Sequence, residues 1–171
     1  MPIGCSPNYT EFQKRVAEKE VVIGVFGLSP KGLEKAVNTA ESGYRVICFD
    51  TRDFKLDMTR RGVSFCDNVK DSELLALVSR DMISVSSDFS RIGSIDFLFI
   101  PPVSVENGDT SGSHNMEEIA GIVADNMRCG LIICFEDFDR AQKTRRILEE
   151  ALALSGFRRD EDFFFGSYLL N

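Results

Sequence analysis

Apolar residues in this chain gather into two kinds of segment that alternate along it. Unbroken runs rich in β-branched and aromatic residues occur at 21–27 (VVIGVFG), 44–50 (YRVICFD), 95–100 (IDFLFI) and 131–137 (LIICFED). Such runs predict strands covered on both faces, as in a parallel sheet. Between them, apolar positions recur at three- and four-residue spacing. SPKGLEKAVNTAESG places Leu33, Ala36, Val37 and Ala40 on one helical face and stops at Gly43. DSELLALVSRD aligns Leu74, Leu75 and Val78, with Ser72 as a cap. HNMEEIAGIVADNMRCG aligns Met116, Ile119, Ile122, Val123 and Met127, and DRAQKTRRILEEALALSGF is an amphipathic helix closed by Gly156.

Shorter signals fill the gaps. TEFQKRVAEKE predicts a helix to about Glu20, capped by Asn8 or Thr10, with Phe12, Val16 and Ala17 on one face. DFKLDMTRRG reads as a short helix, ISVSSDFS as a short strand leading to Phe89, and DEDFFFGSYLL as a last strand. Pro101-Pro102 ends the 95–100 run, because proline cannot donate to a central ladder. The following VSVENGDTSGS has no periodicity. Strand, helix and strand within about thirty residues require a right-handed crossover between parallel strands. The expected fold is therefore α/β: a Rossmann-type, doubly wound, mainly parallel sheet of five or six strands, with helices on both faces. It spans 21–171, with the 1–20 helix appended to it.

Composition narrows the function. A chain of 171 residues, 43% hydrophobic and 27% charged, has the make-up of one globular domain. The net charge of -7 opposes binding to phosphate backbones, so nucleic acid is not an expected partner. No apolar run approaches the roughly 18 residues of a membrane span. The N-terminal MPIGCSPNYTEF lacks a basic flank leading into an apolar stretch, so no membrane association and a cytoplasmic location are expected. The cysteines, Cys5, Cys48, Cys66, Cys129 and Cys134, have no metal-ligand spacing and read mainly as reduced packing residues. His114, the single histidine, stands among glycines and small polar residues and reads as a loop residue, neither catalytic nor metal-binding.

Candidate chemistry lies after the first strand. A dinucleotide pyrophosphate needs backbone N–H groups at a helix N-terminus and a backbone that approaches without side chains. Gly27-Leu28-Ser29-Pro30-Lys31-Gly32 is such a turn, G-x-S-x-x-G, with the first and third glycines kept. Ser29 stands where the second glycine would admit the pyrophosphate, and Pro30 removes a donor that a phosphate would use. Lys31 offers a cation in partial compensation. A plain strand-to-helix turn fits the same residues. The acidic residue expected about twenty positions on is Asp50, placed at the end of the second strand to accept from an adenosine ribose. Asp50 also fits a strand-end turn or a helix cap. Arg52 and Lys55 follow, able to contact a ribose or a 2'-phosphate, or to be a solvated helix start. Repulsion between Asp50 and a 2'-phosphate favours NAD.

These segments together resemble the NAD-binding N-terminal domain of the UDP-glucose/GDP-mannose dehydrogenase family, most closely the enzymes that oxidise UDP-N-acetylhexosamines. EKEVVIGVFGLSPKGLEKAV, ESGYRVICFD, the spacing to Lys55, DSELLALVSRDMISVSSDFSRI and SGFRRDEDFFFGSY follow in family order. The resemblance implies NAD as cofactor, held by Gly27, Leu28, Ser29, Pro30, Lys31, Gly32, Asp50, Arg52 and Lys55. It also implies oxidation of a nucleotide-sugar C6 alcohol by a cysteine and a lysine from later segments, and no residue here matches either of them.

Other departures touch the nicotinamide half. Ile100-Pro101-Pro102-Val103-Ser104 replaces a Val-Pro-Thr-Pro turn, and Cys134-Phe135-Glu136-Asp137-Phe138-Asp139 replaces Glu-Ser-Thr before a Pro-Gly-Thr-Thr helix start. Ser167-Tyr168-Leu169-Leu170-Asn171 replaces Ser-Pro-Glu-Arg. The expected function is a stand-alone nucleotide-binding or partner-binding module without catalytic residues of its own. The alternative is the NAD-binding part of a UDP-sugar 6-dehydrogenase completed by a second chain or a missing segment. Family dimers use a long helix that follows this domain, so that mode of dimerisation is not expected.

Overall fold

Every strand runs parallel to its neighbours in a sheet ordered β3-β2-β1-β4-β5-β6. The strands are β1 (Val22–Phe26), β2 (Arg45–Phe49), β3 (Ile83–Ser86), β4 (Phe97–Ile100), β5 (Leu131–Phe135) and β6 (Phe163–Ser167). The computed structural model describes residues 9–102, 116–136 and 141–167. The order reverses between β1 and β4, which makes the sheet doubly wound and opens a crevice at the carboxyl ends of those two strands. Among the described residues, β1, β2, β4 and β5 fall on the four apolar runs, and β3 and β6 on the two shorter strand signals.

Successive strand residues point to opposite faces, so each unbroken run feeds two cores. On one face Ile23, Val25, Val46 and Cys48 pack under Leu33, Ala36 and Val37 of α2 (Pro30–Glu41) and Leu74 and Leu77 of α4 (Asp71–Ser79). On the other, Ile47, Phe49, Leu98, Ile133 and Phe163 meet Ile119 and Val123 of α5 (Met116–Asn126) and Leu148 and Leu152 of α6 (Gln142–Leu154). The short α3 (Asp53–Arg60) adds Leu56 to the first core. Between β3 and β4 the chain makes a 3-10 turn, Phe89–Ser94, on the second face. Asp88 starts this turn by accepting from the Ser90 N–H at 3.0 Å, and Phe89 stacks on Phe26 with ring centroids 5.3 Å apart.

α1 (Tyr9–Ala17) buries no residue fully and is tied down by polar bonds. Arg15 donates from both terminal nitrogens to the Asp96 carboxylate, at 3.0 and 2.9 Å. Asp96 is only 6% exposed and also accepts from the Val22 N–H (2.9 Å) and from Arg128 (3.3 Å). Phe12 packs its ring on Phe97, with centroids 5.5 Å apart.

The structure corrects three boundary expectations. α1 stops at Ala17 rather than Glu20, with Lys19 in the left-handed region at φ 60. Thr10 lies inside α1, and Asn8 falls outside the described residues. Ser72 lies inside α4, whose N-cap position is Lys70; the Glu73 carboxylate there accepts from the Lys70 N–H at 3.3 Å. The Glu73 side chain reaches back to the helix start, a role a short Ser72 side chain within the first turn cannot take. Cys5, residues 103–115 with His114, the aromatic-acidic 137–139 stretch and 168–171 also lie outside the described residues.

Candidate functional site

At the carboxyl end of β1 the chain must turn sharply to enter α2, and two glycines permit it. Gly27 has φ +99, a conformation that strains L side chains, and its N–H donates to Phe49 O at 2.7 Å. Gly32 lies so close to this turn that a Cβ on it would stand 2.2 Å from Gly27 O and 3.4 Å from Pro101 Cγ. A side chain at 32 would therefore push α2 off the end of β1. The contact to Pro101 puts the turn beside the end of β4, at the switch point of the sheet.

Ser29 is the N-cap of α2: its hydroxyl oxygen accepts from the Gly32 N–H at 3.0 Å, and its carbonyl from the Leu33 N–H at 2.9 Å. Pro30 follows at the first helical position, where its fixed φ suits the helix. The serine that replaces the middle glycine thus uses one of the first-turn donors that a phosphate would otherwise meet, and Pro30 has none to give.

Asp50 follows β2 directly and is 2% exposed. Its Oδ2 accepts from the Leu28 N–H at 2.6 Å and from Arg52 Nη2 at 2.6 Å. Its Oδ1 accepts from the Arg52 N–H at 2.9 Å and from Arg52 Nε at 2.8 Å. Burial by itself raises the pKa of this carboxyl, but the Arg52 and Leu28 hydrogen bonds and the Arg52 charge outweigh it and hold the group below the usual aspartate value.

The cations around the turn also have partners in the protein. Lys55, on α3, donates from Nζ to Leu28 O at 2.6 Å, and the same ammonium lies 4.7 Å from the centre of the Phe65 ring. Leu28, fully buried, is thus held through its N–H by Asp50 and through its carbonyl by Lys55. Lys31 reaches across the end of the sheet to Glu136, with 3.6 Å between Nζ and Oε1. Lys35, one turn further along α2, lies 5.3 Å above the Phe99 ring; burial there lowers its pKa against the opposing pull of Glu136.

All nine residues that the sequence assigned to a cofactor therefore stand at one end of the sheet. Gly27, Leu28, Ser29, Pro30, Lys31 and Gly32 form the turn, while Asp50, Arg52 and Lys55 border it from β2 and α3. Three relationships escaped the sequence reading: Ser29 as a helix cap, Arg52 folded onto Asp50, and Glu136 facing Lys31. The first had a local signal, the Ser-Pro pair before a helical run. The other two depend on how strands and loops converge.

Among the described residues no group of histidine, cysteine, aspartate and glutamate side chains is placed to hold a metal, and no helix is long and apolar enough to cross a membrane. None of Cys48, Cys66, Cys129 and Cys134 is in a disulfide, and burial pushes the Cys48 and Cys134 thiols up to about 12. A groove of about 470 Å³ lies away from the turn, under α1, where Phe12 and Val16 face Phe97, Phe99 and Cys134.

No protein-family model matches the chain, and no curated protein does. Solved structures do. The chain is similar to a UDP-D-ManNAc dehydrogenase from Pyrococcus horikoshii, with 24% identity and a TM-score of 0.65 over 88% of this chain and 37% of that one. It is similar to an NDP-N-acetyl-D-galactosaminuronic acid dehydrogenase from Methanosarcina mazei, with 20% identity and a TM-score of 0.68 over 93% and 37%. A GDP-mannose dehydrogenase from Pseudomonas aeruginosa gives 18% identity and 0.64 over 85% and 35%. The chain spans little more than a third of these proteins. At such identities the likeness establishes the fold, and it is the fold carried by the nucleotide-sugar dehydrogenases that the motifs resemble.

Proposed function

We propose that this domain binds an adenine dinucleotide, NAD before NADP, in the crevice at the carboxyl ends of β1 and β4. The observation that carries this reading is the approach of Gly32 to Gly27 O, where a Cβ would stand at 2.2 Å. That packing brings the start of α2 against the strand end, the close approach of helix and strand that a pyrophosphate-binding turn requires. Asp50 at the end of β2, linked to the turn through the Leu28 N–H, is the acidic residue that the same architecture uses for an adenosine ribose.

Binding is weak in this reading. Pro30 offers no N–H, Ser29 occupies that of Gly32, and Lys31 must leave Glu136 to meet a phosphate. The last cost is small, because both partners of that pair are largely solvated, 61% and 42% exposed. Calorimetric titration with NAD and NADH, with a UDP-sugar as control, tests the reading. Saturable binding of the dinucleotide that shifts amide resonances of residues 27–33 supports it; unchanged spectra at millimolar NAD would sink it and leave a protein partner as the module's ligand.

A second reading rests on the length of the structural neighbours, of which this chain spans 37% in the first two. There the domain is the NAD-binding part of a nucleotide-sugar dehydrogenase, and a further segment or a second polypeptide supplies the reacting groups. Hydride transfer from a UDP-sugar to NAD only after a complementary catalytic domain is added would support it.

A further inference from the structure

A carboxylate has about four lone-pair positions for hydrogen bonds, and those of Asp50 are filled from within the chain. Oδ1 takes the Arg52 N–H (2.9 Å) and Nε (2.8 Å); Oδ2 takes the Leu28 N–H (2.6 Å) and Arg52 Nη2 (2.6 Å). Two of these donors are backbone groups fixed by the turn and by the start of α3. The other two belong to one side chain, whose guanidinium lies over the carboxylate with its own side chain 21% exposed and that of Asp50 3% exposed. The residue that would receive a ribose diol is thus covered by a planar, bidentate donor, the arrangement in which an arginine imitates two hydroxyls.

We propose that Arg52 sets ribose recognition in this site: its guanidinium occupies the Asp50 acceptors, and a bound nucleotide's 2'- and 3'-hydroxyls meet Asp50 only when Arg52 has swung away. The inference rests on the dinucleotide reading above. Because displacing the guanidinium returns about as many hydrogen bonds as it removes, the intact site gains almost nothing from the diol. Adenine nucleotides with and without a 2'-hydroxyl then bind alike. Removing the guanidinium while keeping an apolar stem of similar length uncovers Asp50 and makes the 2'-hydroxyl matter.

The test is calorimetric titration of the intact chain and of Arg52→Met with ADP, 2'-deoxy-ADP and NAD, with thermal melts to establish that each protein is folded. Arg52→Gln replaces Arg52→Met if the latter does not fold. In the intact protein ADP and 2'-deoxy-ADP bind within about twofold of each other. In the variant ADP and NAD tighten by about tenfold, the scale of one hydrogen bond to a charged acceptor, while 2'-deoxy-ADP does not. Tight discrimination against 2'-deoxy-ADP by the intact protein, or equal changes for the two probes in the variant, overturns the role given to Arg52 and leaves dinucleotide binding standing. If no protein binds NAD or ADP at all, the dinucleotide reading fails and this inference fails with it.

Discussion

The guanidinium of Arg52 and the carboxylate of Asp50 form a bidentate pair, at 2.8 and 2.6 Å, just beyond the carboxyl end of β2. Two consequences reach beyond ligand binding. The pair, with the Leu28 N–H, ties the turn after β1 to the end of β2. It also makes the stability of the domain depend on Asp50 staying ionised.

The pH dependence has a definite sign. The folded-state pKa of Asp50 lies below its ordinary value of 3.8, so its contribution is fully present above that value and is lost as pH falls through the lower folded pKa. Asp50→Asn should lower the urea midpoint at pH 7 and lose less stability than the intact protein between pH 4 and the acid limit. Parallel acid profiles for the two proteins would remove Asp50 from the account.

Gly32 and Gly121 should respond in opposite ways to alanine. At Gly32 the added Cβ meets the carbonyl of Gly27 at 2.2 Å, a backbone atom that cannot rotate away, so Gly32→Ala should cost about 2 kcal/mol or more. At Gly121, within α5, the Cβ has open space, and Gly121→Ala should stabilise by about 0.5–1 kcal/mol. Chemical denaturation of both variants checks the pair.

Ser29 separates capping from ligand access. Ser29→Ala removes the acceptor of the Gly32 N–H and should cost about 1 kcal/mol, whereas glycine at an N-cap costs only a few tenths. Ser29→Gly should therefore be nearly neutral for folding and should tighten NAD binding by about 1 kcal/mol as the side chain leaves the pyrophosphate path. Unchanged NAD affinity in Ser29→Gly would falsify the steric part of this account.

Arg15 holds α1 to the sheet through Asp96, a carboxylate that is buried beneath the pair. Arg15→Ala should destabilise the domain by about 1–3 kcal/mol, less than an unpaired buried charge costs, because Arg128 and the Val22 N–H remain on the carboxylate. Faster hydrogen exchange in residues 9–17 than elsewhere would place the effect at α1.

Thiol labelling should divide the cysteines by burial. Cys48 and Cys134, with thiols pushed up to about 12, should react only on unfolding, while the half-buried Cys66 and Cys129 react in the native protein. Peptide mass spectrometry after alkylation distinguishes the sites.

The sequence by itself determined the sheet, its parallel sense and the place of the turn. Runs such as VVIGVFG and LIICFED can be buried on both faces only between helical layers, and the linking periodicities fix where those helices lie. Glycine at 27 and 32 could be read as a tight, close-packed turn because the steric reason for glycine is local to the chain. The tertiary structure decided what the charged residues around that turn do. Arg52 is two residues from Asp50, yet its direction depends on the start of α3; Lys31 meets Glu136 only because α2 and the end of β5 converge. Arg15 is 81 positions from Asp96, a pairing that no spacing rule reaches. Hydrophobic periodicity is written along the chain, whereas a charge finds its partner through the fold. The place of the acidic residue at the end of the second strand was therefore legible in sequence, and its pairing with Arg52 was not.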